Sequence, residues 1–256
     1  MSEFKRLREK VLPNLLDARC ERRNYRKHPI DSDSPYRNEE LVDIIALNLK
    51  GKNYYSRHDN PPYYESIPGS ISKLYLRRSV AERLVKVENR LNPMGLRLFI
   101  HDGLRPIEVQ RHFHDVWMPA RVKEWHPNMD DVRVVEEVEK YWARPADTDA
   151  SPSPHATGGA TDLTLSFIES GDMLYMGSTF DDVSVLAHTD YFEHFADSRR
   201  FSDTEARANR RLLYWVMAEE GFVNNPNEWW HFCWGDQMWA KLTGERAAHY
   251  GVALFP

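Results

Sequence analysis

Two short motifs far apart in the chain leave it the least freedom: His155-Ala156-Thr157-Gly158-Gly159-Ala160-Thr161-Asp162 and Glu228-Trp229-Trp230-His231-Phe232. Together they offer two imidazoles and a carboxylate, enough to hold one divalent metal, with a spare glutamate three residues before the last histidine. That is the inventory of a hydrolytic zinc site, which takes three protein ligands and keeps a fourth position open. A chain that uses it must fold a loop, the strand after it and a much later segment onto one point. His155 and Asp162 are seven apart across a glycine pair, so a loop and its following strand can converge there.

Each residue also has a plainer role. His155 alone reads as a loop histidine facing water, Asp162 as a turn or strand-edge aspartate, and His231 between Trp230 and Phe232 as a core histidine bonded to backbone. Glu228 alone reads as a solvated surface glutamate, the usual fate of its type. It also poses a geometric problem, because residues three apart on a regular strand point to opposite faces. A bend or bulge at 228–230 must turn its carboxylate toward His231, and Pro226 marks a chain only just leaving a loop. Cys233 shares an alternation face with His231 and reads as a packed thiol, since a thiolate would fill the open vertex. Trp229, Trp230, Trp234 and Trp239 read as core or pocket wall, and His101, His112, His114 and His188 as structural.

Periodicity supplies the scaffold. Residues 1–24 carry Phe4, Leu7, Val11, Leu15 and Leu16 among many charges, an amphipathic helical pattern interrupted by Pro13. Residues 25–40 read as a linker or loop, and 41–49 as either a short helix or a strand. The tyrosines and prolines of 53–69 indicate a structured loop. A helix follows over 75–91, with Leu76, Val80, Leu84 and Val87 on one face, then a buried strand at 96–100. Asp102-Gly103 signals a turn, and Pro106 suits the first position of a helix over 107–118. Arg105 thus sits at a strand-to-helix corner. Residues 119–143 read as helical and 143–154 as a loop. Ala160 to Leu165 alternate as a strand, 174–180 pair with it or run as a loop, 204–220 form a helix stopped by Gly221, and 228–234 form the last strand.

Composition excludes several function classes. A net charge of −5 gives no basic stripe for nucleic acid, and no apolar run approaches the roughly 20 residues needed to cross a bilayer. The charged start lacks the apolar core of a secretory signal. Two cysteines, Cys20 and Cys233, suit neither a disulfide framework nor a zinc knuckle, and reduced thiols in the cytoplasm are the expectation. The division expected is an N-terminal helical extension or arm over 1–50 and a catalytic domain over 51–256.

The order Ser153-x-His155-x-x-Gly158-x-Ala160-x-Asp162, then Glu228-Trp229-Trp230-His231, resembles the D-alanyl-D-alanine dipeptidases of vancomycin resistance and their bacterial relatives. Asp102-Gly103-Leu104-Arg105-Pro106 and Met176-Gly177-Ser178-x-Phe180-Asp181 fall in the family's order as well. The resemblance covers roughly residues 72 to 235. It implies an α+β fold, a small mostly antiparallel sheet carrying a zinc site with helices packed on one side. It implies His155, Asp162 and His231 as zinc ligands, Glu228 as catalytic acid and base, and Arg105 as the group that steadies the developing oxyanion. Ser153 and Asp181 match substrate contacts, Asp181 being suited to the free ammonium of a small dipeptide. The family's counterpart of 53–69 lines the pocket, yet aromatic loops more often simply pack, so both roles stay open for its tyrosines. Pro154 stands where the family more often has a polar or basic residue, and it pushes Ser153 toward extended conformations.

Other readings remain beside this one. A peptidase of peptidoglycan fragments shares the metal set. A non-haem iron oxygenase uses two histidines and a carboxylate, although its usual triad puts the carboxylate where Thr157 stands. A non-catalytic zinc module would have its fourth position blocked, which the presence of Glu228 and Arg105 argues against.

Overall fold

The structure, a computed structural model, describes residues 2–139, 142, 144–145, 151–195 and 200–255. Its regular elements in chain order are α1 (Glu3–Glu9), α2 (Leu15–Glu21), β1 (Leu41–Asp43), β2 (Lys50–Gly51), β3 (Tyr75–Arg77), α3 (Arg78–Leu91), β4 (Leu96–Asp102), α4 (Ile107–His112), α5 (Met118–Trp125), α6 (Asp131–Val138), β5 (Ala160–Phe167), α7 (Phe201–Ala218), β6 (Val223–Asn224), β7 (His231–Cys233) and α8 (Gln237–Thr243). The loop expected at 143–154 falls largely outside the described residues.

The main sheet runs β2-β4-β5-β7-β6, with β2 parallel to β4 and the other neighbours antiparallel. This is the small, mostly antiparallel sheet of an α+β fold. β5 lies at its centre and is buried along nearly its whole length, because it has a strand on each edge and cover on both faces. Period-two alternation therefore sends Leu163 and Leu165 to one face and Asp162 and Thr164 to the other. β1 and β3 form a separate antiparallel pair.

Helix α3 follows the predicted apolar spacing, with Val80, Leu84, Val87 and Leu91 fully buried. Each such side chain contributes about 1.5–3 kcal/mol by leaving water. It begins later than the pattern suggests because Tyr75–Arg77 are drawn into pairing with β1. Residues 41–49 take both expected forms in turn: β1, then a 3-10 turn whose start is capped by the Asp43 carboxylate accepting from the Ile45 N–H. The helix expected at 107–118 is divided into α4, a π-helical turn at Phe113–Trp117, and α5. Pro106 sits one residue before its first turn.

Pro13 separates α1 from α2, as the interrupted pattern suggests. α1 lies on α7: Leu7 is fully buried, Arg8 bonds Asn209 and Glu205, and the Trp215 indole N–H donates to the Lys10 carbonyl at 2.9 Å. The polar face of α1 is therefore ion-paired to a neighbour rather than only solvated. β6 and α8 are absent from the sequence reading. α8 forms because Asp236 caps it, accepting from the Trp239 N–H at 2.7 Å, with a left-handed Gly244 at its end.

The strand expected at 228–234 is corrected to His231–Cys233 alone. Glu228 to Trp230 belong to a turn in which the His231 N–H donates to the Glu228 carbonyl at 3.2 Å. The bulky aromatic run has strand propensity, but backbone bonding within 224–231 overrides it.

Candidate metal centre

Strand register and the turn before β5 bring the two histidines and the aspartate of the motifs together. Asp162 on β5 lies directly opposite His231 on β7, and directly opposed residues share a face with Cβ atoms about 4.5–5.5 Å apart. His155 arrives from the 3-10 turn Pro154–Thr157, which Gly158 ends at φ 71° before the strand begins. The left-handed φ favours glycine at 158, and a side chain there would also press on the Leu41 Cδ2 at 2.8 Å. Ser153, before the proline, has the extended conformation that Pro154 imposes, φ −70° and ψ 151°.

The donor atoms meet at short range. His155 Nε2 is 3.1 Å from His231 Nδ1, His231 Nδ1 is 3.0 Å from Asp162 Oδ1, and His155 Nε2 is 3.3 Å from Asp162 Oδ2. Two ligands about 2.0–2.1 Å from a tetrahedral zinc stand roughly 3.3 Å apart, so this spacing fits one ion. The tautomer fits too. His155 Nδ1 lies 2.8 Å from the Gly103 carbonyl, which can only accept, so the proton is on Nδ1 and the Nε2 lone pair faces the cluster. Burial alone would raise the Asp162 carboxyl, but the charges and hydrogen bonds of His155 and His231 hold it well below the ordinary carboxylate range. Asp162 is thus an anion beside two imidazoles, and a divalent cation can take the place of the imidazole protons between them.

A second carboxylate stands behind the first. An irregularity in β4 between Ile100 and Asp102 places Asp102 opposite Asp162, completing a row of Asp102, Asp162 and His231 across three strands. Facing carboxylates repel, and Arg105 lies between them, with Nε donating to Asp102 Oδ2 at 2.7 Å and Nη2 to Asp162 Oδ2 at 3.1 Å. Nη1 donates to Gln110 and Nη2 also to the Tyr55 hydroxyl. Among the described residues this engages four of the five guanidinium donors and leaves one on Nη1. Burial opposes the Arg105 charge, but the neighbouring Tyr55, Asp102 and Asp162 more than offset it and raise its pKa. Asp102 also approaches His155 Nδ1 at 3.4 Å. Sequence reasoning gave Asp102 no site role, because Asp-Gly reads as a turn; its presence in the Arg105 motif was the available signal.

Glu228 stands at the rim, its Oε2 3.7 Å from His231 Nδ1 and its side chain 30% exposed. The turn resolves the opposite-face problem, since Glu228 lies outside β7. Asn224 fastens that turn: its Nδ2 donates to the carbonyls of both Glu228 and His231. Cys233 is fully buried, outside the ligand cluster, and burial beside Asp236 raises its thiol well above its usual value.

A cleft of about 340 Å³ opens over this floor, lined by Arg105, Ser153, Asp181, Glu228 and Trp230 among others. Asp181 occupies the left-handed region at φ 57°, uncommon for a residue other than glycine. Tyr55 and Tyr63 each donate to its Oδ2 at 2.9 Å, leaving Oδ1 without a hydrogen bond among the described residues. Burial raises both phenols well above their usual value and keeps them as donors. Arg210 holds the loop that carries Asp181, donating to the carbonyls of Met176, Leu186 and His188.

Three side chains close enough together to share one cation, with a carboxylate at the rim and a guanidinium behind, have the makeup of a mononuclear metallohydrolase centre. The family model described as D-ala-D-ala dipeptidase matches residues 49–248, and the chain belongs to that family of peptidases. It is 29% identical over 225 residues to a D-alanyl-D-alanine dipeptidase of Synechocystis, covering 83% of this chain and 90% of that one. It is 31% identical over 202 residues to that of Enterococcus faecium, covering 77% and 91%. A solved vancomycin resistance D,D-pentapeptidase VanY in complex with Zn(II) aligns with a TM-score of 0.43 at 14% identity, over 80% of this chain and 82% of that one.

Proposed function

We propose that the chain is a zinc-dependent dipeptidase that hydrolyses D-alanyl-D-alanine or a similar small dipeptide. The observation that carries this reading is the convergence of His155, Asp162 and His231, with Glu228 3.7 Å away at the mouth of the same cleft. Zinc held by the three ligands supplies positive charge that polarises a scissile carbonyl and acidifies water.

The remaining work falls to the chain's own groups. Glu228, reached by solvent yet beside the ligands, takes a proton from the attacking water and returns it to the leaving amine. The free Nη1 donor of Arg105 steadies the oxyanion that develops at the carbonyl, and its ion pairs to Asp102 and Asp162 preorganise it so that it need not reorient during reaction. The substrate ammonium, set against Oδ1 of Asp181, favours its carboxylate form, while Tyr55 and Tyr63 hold Oδ2. Ser153, which lines the same cleft, orients the peptide. A cleft of about 340 Å³ lies at the small end of ligand pockets, about 300–1,000 Å³, and suits a dipeptide better than a polymer.

Residues 1–50 form an extension on a catalytic body over 51–256, its final strands joining the body's sheets. Among the described residues no helix is long and apolar enough to cross a membrane. The exposed free thiol of Cys20 fits a reducing compartment, so a cytoplasmic encounter with free dipeptide is the location we propose. A screen of D,D-, L,D- and L,L-dipeptides beside muropeptides against the zinc-loaded protein tests the reading. D-alanyl-D-alanine should be turned over fastest, and a preference for muropeptides would instead favour a peptidoglycan-fragment peptidase.

A further inference from the structure

The cleft is lined by the carboxylate of Asp181 and, from a part of the chain outside the family match, by an arginine with no acidic partner among the described residues. Arg22, the residue that closes α2, lines the same cleft as Glu228 and His231, although the family match begins only at residue 49. Among the described residues its guanidinium makes no ion pair and no hydrogen bond; its Nε is buried without a partner, and its one ring contact is Tyr25 at 5.9 Å. An arginine in a cleft with a buried, unsatisfied donor and no anionic partner is an expensive arrangement unless an acceptor enters from solution.

The segment carrying Arg22 is fixed on every side. Arg19 pairs with Asp190 and donates to the Pro226 carbonyl, which ties α2 to the stretch just before Glu228. The Arg23 carbonyl accepts from Lys241, those of Arg26 and His28 accept from Gln237, and Arg26 itself donates to the Ser151 carbonyl, two residues before Ser153. Such anchoring places a side chain as firmly as a strand would, and it joins the N-terminal extension to both the Glu228 turn and the Ser153 wall.

We infer that Arg22 is a specificity-determining residue that binds the C-terminal carboxylate of the substrate. The assignment rests on the dipeptidase reading and deepens it. A dipeptide is a zwitterion, and Asp181 accounts only for its ammonium. A guanidinium matches a carboxylate in charge and in planar geometry, and its presence in the same cleft as Glu228 and His231 makes the enzyme favour a substrate with a free C-terminal carboxylate.

The test compares D-alanyl-D-alanine with its C-terminal amide in the wild type, Arg22→Ala and Arg22→Lys, each loaded with zinc. The wild type should prefer the free acid. Arg22→Ala should lose about 10- to 100-fold in kcat/KM on the acid, mostly through KM, while the amide changes little; this is the range of a charge-assisted hydrogen bond. Arg22→Lys should keep part of the preference. The same difference should appear in Kd, by calorimetry, when acid and amide bind the Glu228→Gln variant with and without Arg22→Ala. An unchanged acid-to-amide ratio in Arg22→Ala, or an equal loss on both substrates, overturns the Arg22 assignment alone. A wild type that hydrolyses neither compound overturns the dipeptidase reading and this inference with it.

Discussion

The strand pair β5–β7 and the turn at 224–230 meet at the same metal centre but place their residues by different physics. On the strand side, inter-strand hydrogen bonds fix the register, register sets Asp162 opposite His231, and the backbone alone delivers two ligands to one face. On the turn side the ladder ends at Asn224, which pairs with Phe232, and residues 225–230 lie outside the strands. Glu228 is placed by the Asn224 side chain and a short backbone bond, at the edge of solvent. The strand side is thus built to hold a cation rigidly, and the turn side to present a carboxylate that exchanges protons with water. Metal retention and catalysis should therefore be separable by mutation.

Glu228→Gln gives the largest separation. Turnover should fall about 10²- to 10⁴-fold, the usual contribution of a general acid–base, while zinc content stays near that of the wild type. Kinetics with elemental analysis measure both, and unchanged turnover removes the role. Arg105→Ala should lower kcat by about 10²- to 10³-fold and also destabilise the fold by roughly 3–5 kcal/mol, since Asp102 and Asp162 lose the cation between them. A loss confined to KM would contradict the oxyanion assignment. Asn224→Ala removes the bonds to the carbonyls of Glu228 and His231 and the acceptor of the Thr189 hydroxyl, and should reduce kcat roughly tenfold through misplacement of Glu228, with zinc retained because the β5–β7 register remains; loss of zinc would show that the two halves are not independent.

The smallest effect concerns pH. Burial and the negative charge of Asp162 raise the Asp181 carboxyl from 3.8 to about 8. A proton bound more tightly in the folded than in the unfolded state adds stability at low pH, and that stability is lost as pH rises through the folded value. Metal-free protein should therefore lose melting temperature between about pH 5 and 8, and Asp181→Asn should flatten the slope. Equal slopes in both proteins would show that Asp181 does not titrate in this range.

The same division explains what could be read from the sequence. The clustering of Asp162 and His231 was legible because motif and alternation are local, and α3 and α7 because their apolar spacing is. The last strand was overextended because Trp229 and Trp230 favour strands, while the competing bonds come from Asn224, a residue with no distinctive signal. Asp102 was hidden because only the β4 irregularity turns it toward Asp162. Tyr55 and Tyr63 were legible as an aromatic loop but not as donors to Asp181, a contact across more than a hundred residues. Arg22 was legible only as one charge on an amphipathic segment, since nothing local shows that α2 ends in the cleft.

Zinc content after exhaustive dialysis, in the wild type and in His155→Ala and His231→Ala, tests the central claim most directly. The wild type should retain one zinc per chain and each variant almost none, although their folds persist by circular dichroism. Zinc retained in full by either variant would show that these side chains do not share an ion.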